Sequence, residues 1–537
     1  MFSNVLIPIL LFGILVFIHE LGHFSVAKWS GVFVERFSIG FGPAIFRKKW
    51  GETEYALCLL PLGGYVKMRG EETIESEDAP HTNDPRSFDN QNVWTRIAIA
   101  IMGPVFNLVL PVILFTFLFL VGIPKISTQL GYTDPSQVAW QAGLRPGDRI
   151  TSIQGQPVTF WDDLSDIIQK RGGLETTIDF IRNGKPMSIS LTPAMSPGRN
   201  AYGEEVPVGK LGISPQEFLP AIAVTQQDTA LMEKGFASGD VITSINGKKI
   251  SHWWQVQDLA SQEAISEMEV LRDDQTTLKA TFENAQDIQL RPLELMVSQS
   301  TPSESTPALI QSGDYVLRID GAPISSWFDV QTQVQENQGQ PMILSVLREE
   351  QEIELTITPE EKTYKDPITK EKKLVRQLGI GSMAKFAQVD TTNDQTSNLF
   401  VAMVRGTQES WNITRDTVIG MGKLFAGKVS VNSLGGPISI FSMASTSYKN
   451  GGWVSFFRLM AILSITLGVL NLLPVPVLDG GHLLFYFIEA LKGSPVHIKV
   501  RQWAQQIGVV MVLGLMALVF YVDINRFFVD RIKDFFQ

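Results

Sequence analysis

Phe17-Ile18-His19-Glu20-Leu21-Gly22-His23 lies inside an apolar stretch that begins at Val5, and this combination decides how the rest of the chain is read. Histidines four residues apart fall on one face of a helix with Cβ atoms about 5–6 Å apart, so both imidazoles can reach one ion at about 2.0–2.1 Å. Glu20, between them, is a candidate general base beside that ion. On a soluble helix such a pattern arises readily by chance. At membrane depth a charged side chain costs about 2.5–3.5 kcal/mol even on a lenient scale. A glutamate there needs a reason, and metal-assisted hydrolysis within a membrane supplies one.

The chain has 537 residues, 44% of them apolar, and a mean hydropathy of +0.09. It is too long for one core and more apolar than an ordinary soluble enzyme. Apolar residues concentrate at Val5 to Ala27, Ile97 to Ile123, Phe456 to Leu473 and Ile507 to Val522, which predicts four transmembrane helices. Asn107 and Thr116 are the only polar side chains of the second. No positive charge precedes the first and no cleavage pattern follows it, so it is expected to stay in the mature protein. Lys28, Arg36, Arg47, Lys48 and Lys49 follow the first span, and Lys492, Lys499 and Arg501 separate the third from the fourth. The positive-inside rule makes both loops cytoplasmic and puts 124–455 on the far side. Arg526, Arg531 and Lys533 pull the other way. Cys58 is the only cysteine, which excludes an intramolecular disulfide. A net charge of −10 without a basic stripe gives no support for nucleic acid as a partner.

The middle of the chain repeats itself. Gly147-Asp148-Arg149-Ile150-Thr151-Ser152-Ile153-Gln154-Gly155 matches Gly239 to Gly247 and Gly313 to Gly321 in register, each followed six residues later by a tryptophan: Trp161, Trp253 and Trp327. The pattern predicts a turn at Gly-Asp, a short strand, a tight turn at the last Gly and an amphipathic helix. With Ala142-Gly143-Leu144 ahead of it, the unit resembles the PDZ domain. Such domains bind peptide termini by strand addition; others act as a steric ring, and both roles stay open here. Leu309 stands where the other copies have Gly143 and Gly235, so the third turn is expected to differ. The charge-dense run from Glu360 to Lys373, punctuated by Pro367, reads as a loop or linker. Leu399 to Lys428 reads as an amphipathic helix along the membrane surface, with packing in a helical bundle as the alternative.

Two histidines leave a catalytic zinc site short of its usual third ligand. The best remaining donor is Asp479, in Asn471-Leu472-Leu473-Pro474-Val475-Pro476-Val477-Leu478-Asp479-Gly480-Gly481-His482, where the prolines stop a helix from running on. H-E-x-x-H in the first span with N-x-x-P-x-P-x-L-D-G-G after the third resembles the site-2 protease family of intramembrane zinc metalloproteases. The resemblance covers essentially the whole chain. Gly40-Phe41-Gly42, Pro61-Leu62-Gly63-Gly64-Tyr65-Val66-Lys67-Met68, Gly103-Pro104 with Asn107, and Gly435-Gly436-Pro437-Ile438-Ser439-Ile440 are further matches.

The resemblance implies Zn2+ held by His19, His23 and Asp479, Glu20 as catalytic base, and Asn471 positioning substrate or stabilising the oxyanion. His482 is not a ligand in the family. The fold implied is a polytopic α-helical membrane protein with four transmembrane helices, a membrane-associated β-hairpin or sheet, and inserted extracytoplasmic PDZ (α+β) domains. The expected divisions are 1–123, 124–216, 217–296, 297–385, 386–455 and 456–537. The function implied is regulated intramembrane proteolysis at a bacterial inner membrane. PDZ domains would be periplasmic and the active site would face the cytoplasmic side, in contact with membrane lipid. The substrate would be a single-span protein, an anti-sigma factor of the envelope stress response, trimmed first by another protease.

Three repeats stand where the family has two, and Thr466 stands where a second asparagine is often found. The alternation in Glu54-Tyr55-Ala56-Leu57-Cys58-Leu59, with Gly40, Phe41 and Gly42 nearby, predicts a short sheet whose edge holds the unwound substrate. The competing readings are a non-catalytic PDZ scaffold or membrane chaperone that retains a metal site, and a zinc hydrolase of a non-peptide membrane substrate. Glu20 speaks against the first and the repeats against the second.

Overall fold

The computed structural model describes residues 2–71, 84–135, 137–199, 205–273, 275–282, 288–300, 309–349, 351–365, 372–427 and 435–524. The chain forms two compact units, one from residues up to 123 together with those from 393 on, the other from most of 124–392.

The first unit holds helices α1 (Phe2–Trp29), α2 (Val93–Val121), α3 (Leu399–Phe425), α4 (Pro437–Asn471), α5 (Asp479–Lys492) and α6 (Ile498–Ile524). Of these, α1 from Leu6 on, α2, α4 and α6 are long and apolar enough to cross a membrane. Glycines let α1 and α2 meet backbone to backbone: a Cβ on Gly22 would lie 2.3 Å from the Met102 carbonyl oxygen, and one on Gly103 would lie 2.2 Å from His23 Nε2. The third span expected from Phe456 to Leu473 corresponds to the part of α4 that follows a break at Gly451 and Gly452, the latter at φ 58°; a further helical stretch from Pro437 precedes the break. Two adjacent glycines permit the non-helical backbone at that break. The start of α4 is closed by Asp523 of α6. Its buried carboxylate accepts the backbone N–H groups of Gly436, Ile438 and Ser439 and the Ser439 hydroxyl, so three amides without intrahelical acceptors are satisfied. A Cβ on Gly436 would fall 2.4 Å from Asp523 Oδ2, which gives the Gly-Gly-Pro sequence its physical reason.

Helix α3 packs one face against α2. Ala402, Gly406 and Ser410 form a buried stripe of small residues, and Gly406 approaches Thr116 of α2 so closely that a Cβ would lie 2.7 Å from its hydroxyl. Phe400, Trp411, Val418 and Phe425 remain exposed. Lys428 lies outside the described residues.

Between α1 and α2, β1 (Val34–Trp50) pairs antiparallel with β2 (Thr53–Met68). Both strands are so long that they fold back into lanes: Phe37, Ser38 and Ile39 have Tyr55, Ala56 and Leu57 on one side and Val66, Tyr65 and Gly64 on the other. The predicted sheet is therefore present, but Glu54 to Leu57 is an interior lane, flanked also by Phe46 to Lys49. Among the described residues, Gly64 to Met68 has strand partners on one side only.

The second unit carries three four-stranded sheets of identical strand order. The first runs Gln156–Pro157, Arg149–Ile153, Thr176–Arg182, Lys185–Leu191; the others follow it from Lys248–Lys249 to Thr277–Thr281 and from Ala322–Pro323 to Gln351–Ile357. Each sheet has its own apolar cluster. Helices Trp161–Gln169, Trp253–Gln262 and Trp327–Glu336 follow the second strand of each repeat. The tight turns have two successive residues at positive φ, Gln154-Gly155, Asn246-Gly247 and Asp320-Gly321, the hairpin conformation that glycine and short polar residues accept best.

One device recurs in all three. Asp148, Asp240 and Asp314 are buried; each accepts a backbone N–H three residues earlier and pairs with Arg182, Arg272 or Arg348. The same guanidinium also donates to the carbonyl of Gly143, Gly235 or Leu309. Leu309 takes the place of the two glycines, and its carbonyl still meets Arg348. The charged run after the third repeat is not simply a loop: Glu360–Lys365 pairs with Lys372–Gln377 as an antiparallel ribbon. Thr363 and Tyr364 suit a strand, and Arg376 neutralises Glu361 across it.

Candidate metal centre

His19 and His23 project from one face of α1 with ring centroids 4.9 Å apart and Nε2 atoms 3.2 Å apart. Asp479 opens α5 after the non-helical turn that follows α4. That turn is tight enough that a Cβ on Gly480 would lie 2.2 Å from the Leu473 carbonyl oxygen and one on Gly481 2.3 Å from that of Val475. Asp-Gly-Gly is thus what lets the carboxylate return to the histidines. Asp479 Oδ2 stands 3.1 Å from His19 Nε2, and Oδ1 stands 3.6 Å from His23 Nε2.

These donors fit a cation. Ligands at tetrahedral positions with bonds of about 2.0–2.1 Å stand about 3.3 Å from one another, close to the three separations. Asp479 Oδ2 is buried without a hydrogen bond. His23 Nδ1 lies 2.8 Å from the Ile99 carbonyl oxygen, to which it can only donate. The proton is then on Nδ1, and the Nε2 lone pair is free for a metal.

Glu20 faces the same cavity, of about 220 Å3, which His19, His23, Asp479, Gly64 and His482 also line. A Cβ on Gly64 would lie 2.9 Å from Glu20 Cγ, so glycine lets the one-sided lane of the sheet run directly against that carboxylate. His482 borders the cavity but is not one of the three clustered donors. The Asn471 amide nitrogen approaches the His19 ring at 3.4 and 3.5 Å. Thr466 gives its hydroxyl to Ile462 of its own helix. Gly40 and Gly42 have φ of 88° and 86°; they do not line the cavity, and Phe41 between them stacks on Tyr65, which does.

The role of Asn107 is a feature the sequence reading missed. Fully buried in α2, its amide lies 3.0 Å from His19 Nδ1 while its own Oδ1 has no partner. A metal-binding Nε2 requires the His19 proton on Nδ1, and that proton needs an acceptor. Exchanging the O and N of the carboxamide, which are interchangeable in shape, supplies one and satisfies the orphan oxygen. In that orientation Asn107 would hold the His19 proton on Nδ1. The signal was available in sequence, since a lone amide in an apolar span demands a partner. Asn107→Leu should lower metal affinity by about 10–100-fold and Asn107→Asp should largely preserve it, as read by zinc retained in chelator competition.

The match to known proteins is extensive. The model of "Peptidase family M50" fits residues 7–515. The chain is 29% identical over 538 residues to the regulator of sigma-E protease RseP of Salmonella typhimurium, spanning 96% of this chain and 97% of that one. It is 30% identical over 532 residues to the protein of that name in Escherichia coli, spanning 96% of each. A Vibrio cholerae protein named for zinc metalloprotease activity is 29% identical over 524 residues, spanning 97% of this chain and 98% of that one.

Proposed function

The chain belongs to peptidase family M50 and is a zinc metalloendopeptidase, and from that premise we propose that it cleaves single-span membrane proteins within the bilayer. The observation that carries this reading is the position of His19, Glu20 and His23 on a helix of membrane-crossing length, with Asp479 brought to them beside a one-sided strand lane. When bound, zinc polarises a carbonyl and makes water acidic near neutral pH. His19, His23 and Asp479 would hold it. Glu20 takes the proton of the attacking water and returns it to the leaving amine. The Asn471 amide donates to the oxygen that gains charge.

A peptide bond in a transmembrane helix is already hydrogen-bonded, so the substrate must unwind, and its freed backbone groups need partners in the membrane. Gly64 to Met68 supplies them by strand addition. This moves the proposed clamp from Glu54–Leu59, an interior lane, to the lane that lines the cavity, with Gly40, Phe41 and Gly42 supporting it through Tyr65. Proline at both Tyr65 and Val66 should stop cleavage while zinc content is unchanged; undiminished cleavage would remove the clamp from the mechanism.

The three repeats act as PDZ domains on the extracytoplasmic side, and the active site faces the cytoplasmic side, as the basic loops favour. The relatives named as regulators of sigma E support an anti-sigma factor as substrate. The test is cleavage in proteoliposomes of one single-span protein with and without its outer domain. The trimmed form should be cut and the intact form spared. Equal cutting would refute a steric, size-excluding role of the repeats, and no cutting of any span would refute intramembrane proteolysis.

A further inference from the structure

Glu294 sits in the one-turn 3-10 helix Leu293–Leu295, whose two leucines are buried in the core of the third repeat. Their burial leaves the intervening side chain to line two adjoining cavities, of about 280 and 710 Å3, which share Tyr132, Phe218 and Glu294 as walls. The side chain accepts one long hydrogen bond, 3.4 Å, from the Trp327 backbone N–H. Among the described residues no cation pairs with it; Arg291, close in sequence, is engaged by Asp228. Asp134 and Lys210 also line the larger cavity, so acidic groups outnumber basic ones there. Burial pushes the Glu294 carboxyl up to about 7, with the Trp327 amide holding it down and Asp329 adding to the rise.

Aromatic rings surround this carboxylate. Phe218 packs 5.3 Å from Tyr132 and 4.8 Å from Phe386, and Trp327 completes the wall. A desolvated carboxylate seeks a cation, and aromatic faces attract the same charge. Trp253 Nε1 is a buried donor without an acceptor in the smaller cavity; an ammonium or guanidinium has no acceptor to offer it, whereas a peptide carbonyl has.

We infer that these cavities bind a cationic side chain, lysine or arginine, of a polypeptide, with its charge on Glu294, its stem against the rings and its backbone carbonyl within reach of Trp253. The inference goes beyond peptide-bond hydrolysis and needs no zinc.

The test uses the full chain in detergent micelles, with Glu20→Gln to prevent cleavage, and labelled nonapeptides carrying a central lysine or arginine or their uncharged counterparts norleucine or citrulline. The charged peptides should bind at least about tenfold more tightly, an ordinary margin for a charge-assisted contact. Glu294→Gln, which keeps an acceptor for the Trp327 amide, should erase that preference. Phe218→Leu should reduce it, and keeps the question decidable should the first variant fail to fold. Absence of peptide binding, equal affinity for charged and uncharged peptides, or a preference that survives Glu294→Gln would overturn the inference. Displacement of the peptide by butylamine or ethylguanidinium at equal concentration would overturn it in favour of a small-amine site.

Discussion

Replacing Glu20 with glutamine should lower peptide cleavage by about 10²–10⁴-fold, the usual contribution of a general base, in a protein that keeps its zinc. The substitution preserves shape and one oxygen but removes the group able to accept a proton. Glu20 is not among the clustered donors, although it lines the same cavity. Zinc per polypeptide, measured beside cleavage of a model single-span substrate, separates the two roles. Loss of both together would place Glu20 among the ligands instead.

Asp479→Ala should have the opposite signature, with zinc and cleavage disappearing together. Structural zinc sites use four protein ligands and catalytic sites normally three; two histidines alone leave the ion weakly held. The change should also leave the first turn of α5 in place, because Gly480 and Gly481 set the preceding turn by close backbone approach and not through the carboxylate. An Asp479→Ala protein with full zinc occupancy after chelator challenge would refute the ligand assignment. Asp479→Glu, one methylene longer, should recover zinc only in part, since the donors stand 3.1–3.6 Å apart with little slack.

What the sequence revealed of this site depended on periodicity and local chemistry. His19 and His23 announce themselves because helical spacing alone brings them together, and Asp479 because two prolines and two glycines mark a turn that could return to them. Asn107 did not, because its partner lies 88 residues away and pairs of that kind follow from helix packing, not from spacing. The sheet between α1 and α2 was foreseen from alternation in Glu54 to Leu59, yet alternation cannot tell an interior lane from an edge; that depends on the bend that brings Gly64 to Met68 alongside Phe37 to Ile39. The helical stretch of α4 ahead of Gly451-Gly452 was hidden by the polar residues between Ser442 and Asn450, which hold hydropathy down although the backbone is helical. The paired strands at Glu360 and Lys372 were obscured by charge density, which reads as a loop although the backbone there pairs.

The aspartate–arginine closure of each repeat bears on how such a chain can change over generations. Asp148 with Arg182, Asp240 with Arg272, and Asp314 with Arg348 each begin and end within one copy, so a duplicated stretch of gene carries its own fastening with it. That fastening needs no compensating change in a neighbouring copy. Copy number is then a parameter that lineages can adjust by duplication or deletion, lengthening or shortening the array of repeats while the catalytic chemistry of the other unit is inherited untouched.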